Sequence, residues 1–196
     1  MPEEELLLIF DAFERKENPK IPKKTLFKWM RSDDIETLAS LYEYLLKPEY
    51  VERISPPLCR NEFSELLIRY FDRCIRLNLD VDWCYGRYEA GWSLVNWFAY
   101  FWKDKEASSR ILAKIKAWLA ALYKNSDEEI RLCIVNATLE HLFEKRAVAH
   151  YFSNWKNDPV LAVAYAQACE WTTYMPKDLK GQLEWPWKRS SKMKSV

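Results

Sequence analysis

Glycine is scarce in the sequence, with only 3 glycines among 196 residues. So few glycines are unfavourable for β architectures with many tight turns and for glycine-rich loops that cradle phosphate groups. Disordered and collagen-like chains are excluded as well, because they lack apolar residues and this chain is 49% hydrophobic. The composition therefore predicts a globular, helical protein.

The chain also has no excess of charge, since 30 basic and 29 acidic residues leave a formal net charge of +1. Nucleic-acid binding through phosphate neutralisation usually needs a basic surface, so this balance argues against a nucleic-acid partner. Lysine and arginine do exceed acidic residues in the segment 176–196. We interpret this segment as a basic C-terminal tail that is ordered only in part, at Trp185 and Trp187.

Cysteine pairs and membrane-spanning runs are also missing from the sequence. The five cysteines are widely spaced and form no C-x-x-C pair, so neither a zinc knuckle nor a redox motif is indicated. Cys74, Cys133 and Cys169 stand among apolar residues, which predicts that they are small buried groups. The longest uncharged run, 90–102, is shorter than the roughly 20 residues that span a bilayer. Because the N-terminus is acidic, unlike a signal peptide, we expect a cytoplasmic protein with reduced thiols.

Apolar residues recur at helical spacing along most of the chain, and strand patterns are nearly absent. The predicted helices are 3–17, a short helix from Thr25, 34–47, 61–77, 83–103, 106–124, 127–145, 146–155 and 159–174. This pattern predicts an all-α fold of about eight to nine antiparallel helices in a bundle or a short α-solenoid, without a sheet. We expect one helical domain over 1–175, with a subdivision near 48–60 as the alternative because three prolines fall there.

Three helix starts can be predicted from capping patterns. Asp33 with Glu36, and Ser126 with Glu129, have the spacing of a capping box, in which each side chain satisfies a free amide of the other residue. The pair Asp158-Pro159 predicts a helix that begins with an aspartate cap followed by proline in the first helical position.

Aromatic residues are the main surplus, with 10 Trp, 11 Tyr and 9 Phe. Nine of them fall within the predicted helix 83–103, which from Trp92 onward is apolar almost all round. Such a helix normally runs through the centre of a domain. If Trp92 is buried, its replacement by alanine should cost about 3–5 kcal/mol. Gly86 and Gly91 in the same segment predict a close crossing with another helix, since each costs about 1 kcal/mol relative to alanine inside a helix.

Two alternatives to a purely structural role remain for this aromatic segment. Tyr88, Glu89, Trp92 and Trp97 could stack on a planar or cationic ligand. Exposed tryptophan and tyrosine side chains could instead anchor a protein partner, because these residues are enriched at interface hot spots.

Histidine is too scarce to support a metal or nucleophilic centre on its own. His141 has Glu140 beside it and Glu144 three residues later, on the same helix face. Zinc and di-iron sites in helical bundles need at least three ligands, and no second motif of this kind occurs. We therefore predict a protein without cofactor or metal that is not an enzyme. An enzyme or small-ligand binder that uses Glu89, Glu140 and His141 with the aromatic segment is the alternative.

Nucleic-acid binding is a second alternative, from a different functional class. It would use the basic side chains of the predicted helix 106–124 and its start, together with the basic tail. The residues concerned are Lys105, Arg110, Lys114 and Lys116.

The most distinctive pattern lies between residues 139 and 171. It reads L-E-H-L-F-E at 139–144, Y-F-x-x-W-K-x-D-P-x-L at 151–161 and A-Y-x-x-A-x-E-W at 164–171. This stretch resembles the C-terminal portion of small all-helical bacterial proteins of unassigned activity, some of which are immunity proteins of polymorphic-toxin systems. The resemblance implies binding and stoichiometric inhibition of a partner toxin, with Trp155 as a candidate interface residue. The sequence thus predicts a non-enzymatic protein that binds another protein.

Overall fold

The computed structural model of the protein describes residues 2–14 and 20–172. These residues are predominantly helical, which confirms the all-α class. They divide into two compact units, 2–59 and 60–172, each with its own internal contacts. None of the helices in the described ranges is both long and apolar enough to cross a lipid bilayer.

Some expectations fall on residues outside these ranges. They concern the C-terminal tail 176–196 with Trp185 and Trp187, the end of the first predicted helix and the last residues of the final one.

The first unit contains short helices and one short β ladder. Its elements are α1 (Pro2–Glu14), β1 (Ile21–Pro22), α2 (Lys23–Trp29), α3 (Ile35–Leu45), α4 (Pro48–Val51) and β2 (Ile54–Ser55). Phe13 is buried and stacks on Tyr44, with 4.5 Å between the ring centroids. The Arg53 guanidinium donates hydrogen bonds to the carbonyl oxygens of Ala12 and Phe13. These bonds stabilise α1, because carbonyls at the end of a helix have no partner in the helix itself.

The expectation of a fold without a sheet is wrong in one detail. Strands β1 and β2 pair in parallel, with Ile21 opposite Ile54, and both side chains are buried. A ladder of two residues is too short to produce the alternating pattern by which a strand is recognised in a sequence.

The second unit contains the longer helices. Its elements are α5 (Arg60–Leu77), α6 (Arg87–Trp102), α7 (Ser109–Lys124), α8 (Glu128–Cys133), a π-helix (Ile134–Leu139), α9 (Glu140–Phe143), α10 (Arg146–Tyr151), a 3-10 helix (Ser153–Asn157) and α11 (Pro159–Thr172). Large aromatic side chains supply much of its core. The fully buried ones include Tyr70, Phe71, Trp97, Phe98, Phe101 and Phe152.

The helix starts agree with the sequence in one case and differ by one residue in two. Asp158 accepts hydrogen bonds from the amides of Val160 and Leu161, as predicted. The other two caps are Asp34 and Asp127 rather than Asp33 and Ser126. In both, the aspartate accepts a bond from the amide three residues later, at 2.8 Å for Thr37 and 2.9 Å for Ile130. Aspartate and serine both cap well, so the pattern alone does not choose between neighbouring positions.

Two predicted helices differ more in their course. The helix predicted over 83–103 begins only at Arg87, and the residues before it form a connection from α5. The helix predicted over 127–145 is divided by the π-helix Ile134–Leu139 into three successive segments. A π-helix has one more residue in each hydrogen-bonded turn than an α-helix. Over so short a length, this difference changes the positions of apolar residues too little to be recognised in the sequence.

Candidate functional site

The connection between α5 and α6 is closed at its base by hydrogen bonds. The Arg87 amide donates to the side-chain oxygen of Asn78 at 3.1 Å, and the Arg87 guanidinium donates to the carbonyl oxygen of Ile75 at 2.8 Å. Asn78 has a φ of 48°, in the left-handed region that asparagine tolerates better than most residues. The end of α5 and the start of α6 therefore lie side by side, and residues 79–86 connect them.

Five large apolar side chains are exposed within this short stretch. We call them the aromatic face. They are Leu77, Val81, Trp83, Tyr88 and Trp92. Tyr88 and Trp92 are one helical turn apart on α6, and their ring centroids are 6.3 Å apart. The closed base of the connection brings Leu77 and the residues of the connection to the same end of α6. The five exposed side chains thus belong to one stretch of the chain, 77–92, which the bonds of Arg87 hold together at its base.

A close contact between α6 and the π-helix determines which side of α6 faces outward. A Cβ atom placed on Gly91 would lie 2.6 Å from the Cβ of Ala137 and 3.1 Å from the hydroxyl oxygen of Thr138. The Thr138 hydroxyl donates to the Gly91 carbonyl oxygen at 3.3 Å, and the Cys133 thiol donates to that of Arg87 at the same distance. The close crossing predicted from glycine is confirmed at Gly91.

Gly86 has a different role from the one predicted. It precedes the first turn of α6 and does not lie at a helix crossing, since the nearest atom to an added Cβ would be a Glu89 oxygen at 3.8 Å. Its amide donates to that Glu89 carboxylate at 3.0 Å. Glu89, a candidate ligand-binding residue, therefore satisfies a free amide at the start of α6 while remaining exposed.

Trp92 and Trp97 lie on different sides of α6. Their separation of five positions corresponds to a rotation of about 140° around a helix. Trp97 is only 2% exposed and packs on Phe63 and Phe101, at centroid distances of 5.0 and 5.9 Å. Trp92 is 50% exposed, so the expectation of a helix buried all round from this residue onward is wrong.

The candidates of the second group lie on α9, which contacts α6. Glu140 is buried directly after the π-helix, and burial raises the pKa of its carboxyl. His141 is half-buried, and its Nδ1 lies 3.4 Å from the carboxylate of Glu144. In the described ranges, no three histidine, cysteine, aspartate or glutamate side chains are grouped so that they could hold a metal ion. Of the candidate residues, Tyr88, Glu89 and Trp92 are thus exposed, His141 is half-buried, and Trp97 and Glu140 are buried.

Trp155 and the residues that carry the sequence resemblance contribute to the core. Trp155 is buried against Phe152, with 5.1 Å between the centroids. Phe143 contacts both Phe152 and Tyr165, at 5.5 and 5.0 Å. This stretch supports the packing of the second unit, and its described surface includes Trp171 at the end of α11.

The buried thiols of Cys74 and Cys133 have low reactivity. Burial raises the pKa of both Cys74 and Cys133 to about 12, so both thiols are protonated at neutral pH and are poor nucleophiles. Their burial confirms the prediction for these two residues. Cys169 is only half-buried, because it lies at a less covered position near the end of α11.

Part of the basic set on α7 makes contacts within the protein. The Lys116 ammonium donates to the Tyr151 carbonyl oxygen and lies 4.4 Å from the centre of the Tyr151 ring, and burial lowers its pKa. Lys114 pairs with Glu65 at 3.0 Å. Lys105 lies 5.7 Å from the centre of the Trp102 ring.

Three members of the aromatic face were not among the sequence candidates. Trp83 was placed in the predicted helix 83–103, Leu77 at the end of the predicted helix 61–77, and Val81 lies between the two. A signal was present, because Asn78, Asp80 and Asp82 follow one another closely before Trp83. Asparagine and aspartate clustered between two helices indicate a loop rather than a buried helix turn.

Comparisons with family models, with curated proteins and with solved structures found no match to this chain. The resemblance of residues 139–171 therefore remains a prediction.

Proposed function

We propose that the protein is a non-enzymatic binding protein whose ligand is another protein, and that the aromatic face is its contact surface. The observation that carries this proposal is the exposure of Trp83, Tyr88 and Trp92 beside Leu77 and Val81. Tryptophan and tyrosine are enriched among the residues that dominate binding energy at protein interfaces.

The fixed backbone beneath the face supports this role. Arg87 bonds to Ile75 and Asn78, while the contact of Gly91 with Ala137 prevents α6 from rotating. Side chains on a rigid helix lose little additional freedom when a partner binds, so more of the contact energy remains as affinity.

The resemblance of residues 139–171 to immunity proteins supports a toxin as the partner. Because Phe143, Trp155 and their neighbours are largely core residues, the resemblance bears on the scaffold of the binder. The aromatic face would then provide the contacts that are particular to this chain.

Site-specific photo-crosslinking tests the proposal. The photoreactive residue p-benzoylphenylalanine is introduced at Tyr88 in the native cells and, as a matched control, at Trp171, which is 53% exposed on α11 of the same unit. We expect one defined protein adduct from position 88 that does not form from position 171. The captured protein is then purified, and its affinity is measured by isothermal titration calorimetry.

The affinities of two alanine variants decide the outcome. A tryptophan at a hot spot contributes about 2 kcal/mol or more, so Trp92→Ala should weaken the complex about 30-fold. Trp171→Ala should leave the affinity unchanged. Equal adducts from both positions, or an affinity that does not depend on Trp92, would contradict the proposal.

A further inference from the structure

The exposed charges within the stretch that carries the aromatic face are acidic. Within the stretch 77–92, Asp80, Asp82 and Glu89 are exposed acids, and the single basic residue is Arg87. This local excess contrasts with the whole chain, which has a net charge of +1. The face thus combines large apolar side chains with three carboxylates.

Arg87 does not offset this negative charge at the surface. Its side chain is 10% exposed, whereas that of Glu129, with which it pairs at 2.8 Å, is 80% exposed. The second bond of the Arg87 guanidinium is to the Ile75 carbonyl oxygen. The buried cation is therefore matched by a carboxylate of its own, and the acids at 80, 82 and 89 remain uncompensated by it.

The basic residue that precedes Leu77 in the sequence is also matched. Arg76, the residue before Leu77, pairs with Asp72 at 2.8 Å. The same Asp72 carboxylate accepts a hydrogen bond from the indole N–H of Trp118, also at 2.8 Å. The end of α5 therefore adds a neutral pair to the edge of the face.

From these observations we infer that the partner of the aromatic face is a protein surface that presents arginine or lysine side chains. This inference rests on the proposed function and specifies the chemistry of the partner. A guanidinium can stack on the rings of Tyr88 and Trp92 while it pairs with a neighbouring carboxylate, so the same group satisfies both features of the face. A nucleic acid would bring further negative charge and would be repelled.

A direct test uses octa-arginine as the probe and the full-length protein labelled with ¹⁵N. The indole N–H signals of Trp83 and Trp92 are assigned with Trp83→Phe and Trp92→Phe. We expect saturable shifts of both signals on addition of octa-arginine, no such shifts with octaglutamate, and weaker binding in high salt because exposed charges are screened.

Charge variants show whether the acids of the face are responsible. An exposed ion pair contributes about 0.5 kcal/mol, so the double variant Asp80→Asn, Asp82→Asn, which removes two charges, should bind octa-arginine about fivefold more weakly. The matched control is Glu106→Gln, Glu144→Gln, which removes two exposed acids of the same unit outside the stretch 77–92. This control should bind the peptide as tightly as the unmodified protein does.

The inference is overturned if the Trp83 and Trp92 signals do not move, or if the control pair weakens binding as much as the pair on the face. Those results leave the proposed function standing when the crosslinked partner still depends on Trp92. Conversely, octa-arginine binding at the face without a Trp92-dependent protein partner rejects the proposed function alone.

Discussion

Trp92 and Trp97 stand five residues apart on α6, yet one is half exposed and the other is buried in the core. The side that carries Trp97 packs on Phe63 of α5, and the side that carries Gly91 packs on the π-helix. The side that carries Tyr88 and Trp92 has solvent in front of it. Residues of the same type on one helix thus have different surroundings because neighbouring elements cover only part of the helix.

The contact at Gly91 explains why Trp92 lies on the exposed side of α6. The backbone of α6 approaches Ala137 so closely at this residue that no side chain fits between them. Such a contact fixes the rotation of α6 about its own axis. Since Trp92 follows Gly91 directly, its side chain is turned about 100° away from the contact.

The strongest test of this comparison is the replacement of the buried tryptophan. Trp97→Ala removes a large, fully enclosed side chain and should destabilise the protein by about 3–5 kcal/mol. Urea denaturation followed by far-UV circular dichroism measures this loss. A loss below about 1 kcal/mol would show that the side carrying Trp97 is not the core side, since surface changes have effects of that size.

Replacement of Gly91 should cause the next largest loss of stability. Gly91→Ala places a methyl group against Ala137 and should cost about 1–3 kcal/mol through overpacking, although alanine is the better helix former. The same denaturation experiment on Gly91→Ala, Ala137→Gly checks the cause, because the double variant restores space and should recover part of the stability.

Gly86→Ala provides the matched control. An added Cβ there has no atom closer than 3.8 Å, so the change should alter stability by no more than about 0.5 kcal/mol. A loss at Gly86→Ala as large as that at Gly91→Ala would mean that the close contact with Ala137 does not determine the response.

Much of the fold could be predicted from the sequence because helical spacing is strong in this chain. The helix predicted over 61–77 is α5, Arg60–Leu77, and Asp158 caps α11 as expected. The ladder of Ile21 with Ile54 could not be predicted, because it joins two residues from each of two distant segments. The π-helix was also missed, since its apolar residues follow nearly the same spacing as in an α-helix.

The candidate site was predictable only in part. Tyr88 and Trp92 were identified as residues of interest, but spacing along α6 cannot show which of its sides a neighbour covers. That information depends on the contacts of Gly91 and Trp97 with residues far away in the sequence. Trp83 was assigned to the helix because the sequence does not show where α6 begins. That start is fixed by the bonds of Arg87 to Ile75 and Asn78, which spacing within α6 does not reveal.

A smaller effect is expected where α6 begins. Arg87→Met removes the guanidinium that bonds to the Ile75 carbonyl oxygen and should cost about 1–2 kcal/mol, because that buried oxygen loses its donor. The indole signal of Trp83 should also shift, since the connection loses one of its attachments. Glu129→Gln is the control, and it should cost less than Arg87→Met, because a glutamine oxygen can still accept a bond from the buried Arg87 guanidinium and the bond to Ile75 is kept. If the control costs as much as Arg87→Met, the ion pair and not the bond to Ile75 holds the connection.

Apart from the control variants, the smallest effect on stability should come from the exposed side of α6. Trp92→Ala should change the free energy of unfolding by about 1 kcal/mol or less, because half of the side chain is already in water and its neighbour Tyr88 is exposed too. Urea denaturation of this variant beside Trp97→Ala gives the difference directly. A cost as large as that of Trp97→Ala would place Trp92 in a core and remove the aromatic face. A small cost combined with lost partner binding would show that this tryptophan contributes to recognition and very little to folding.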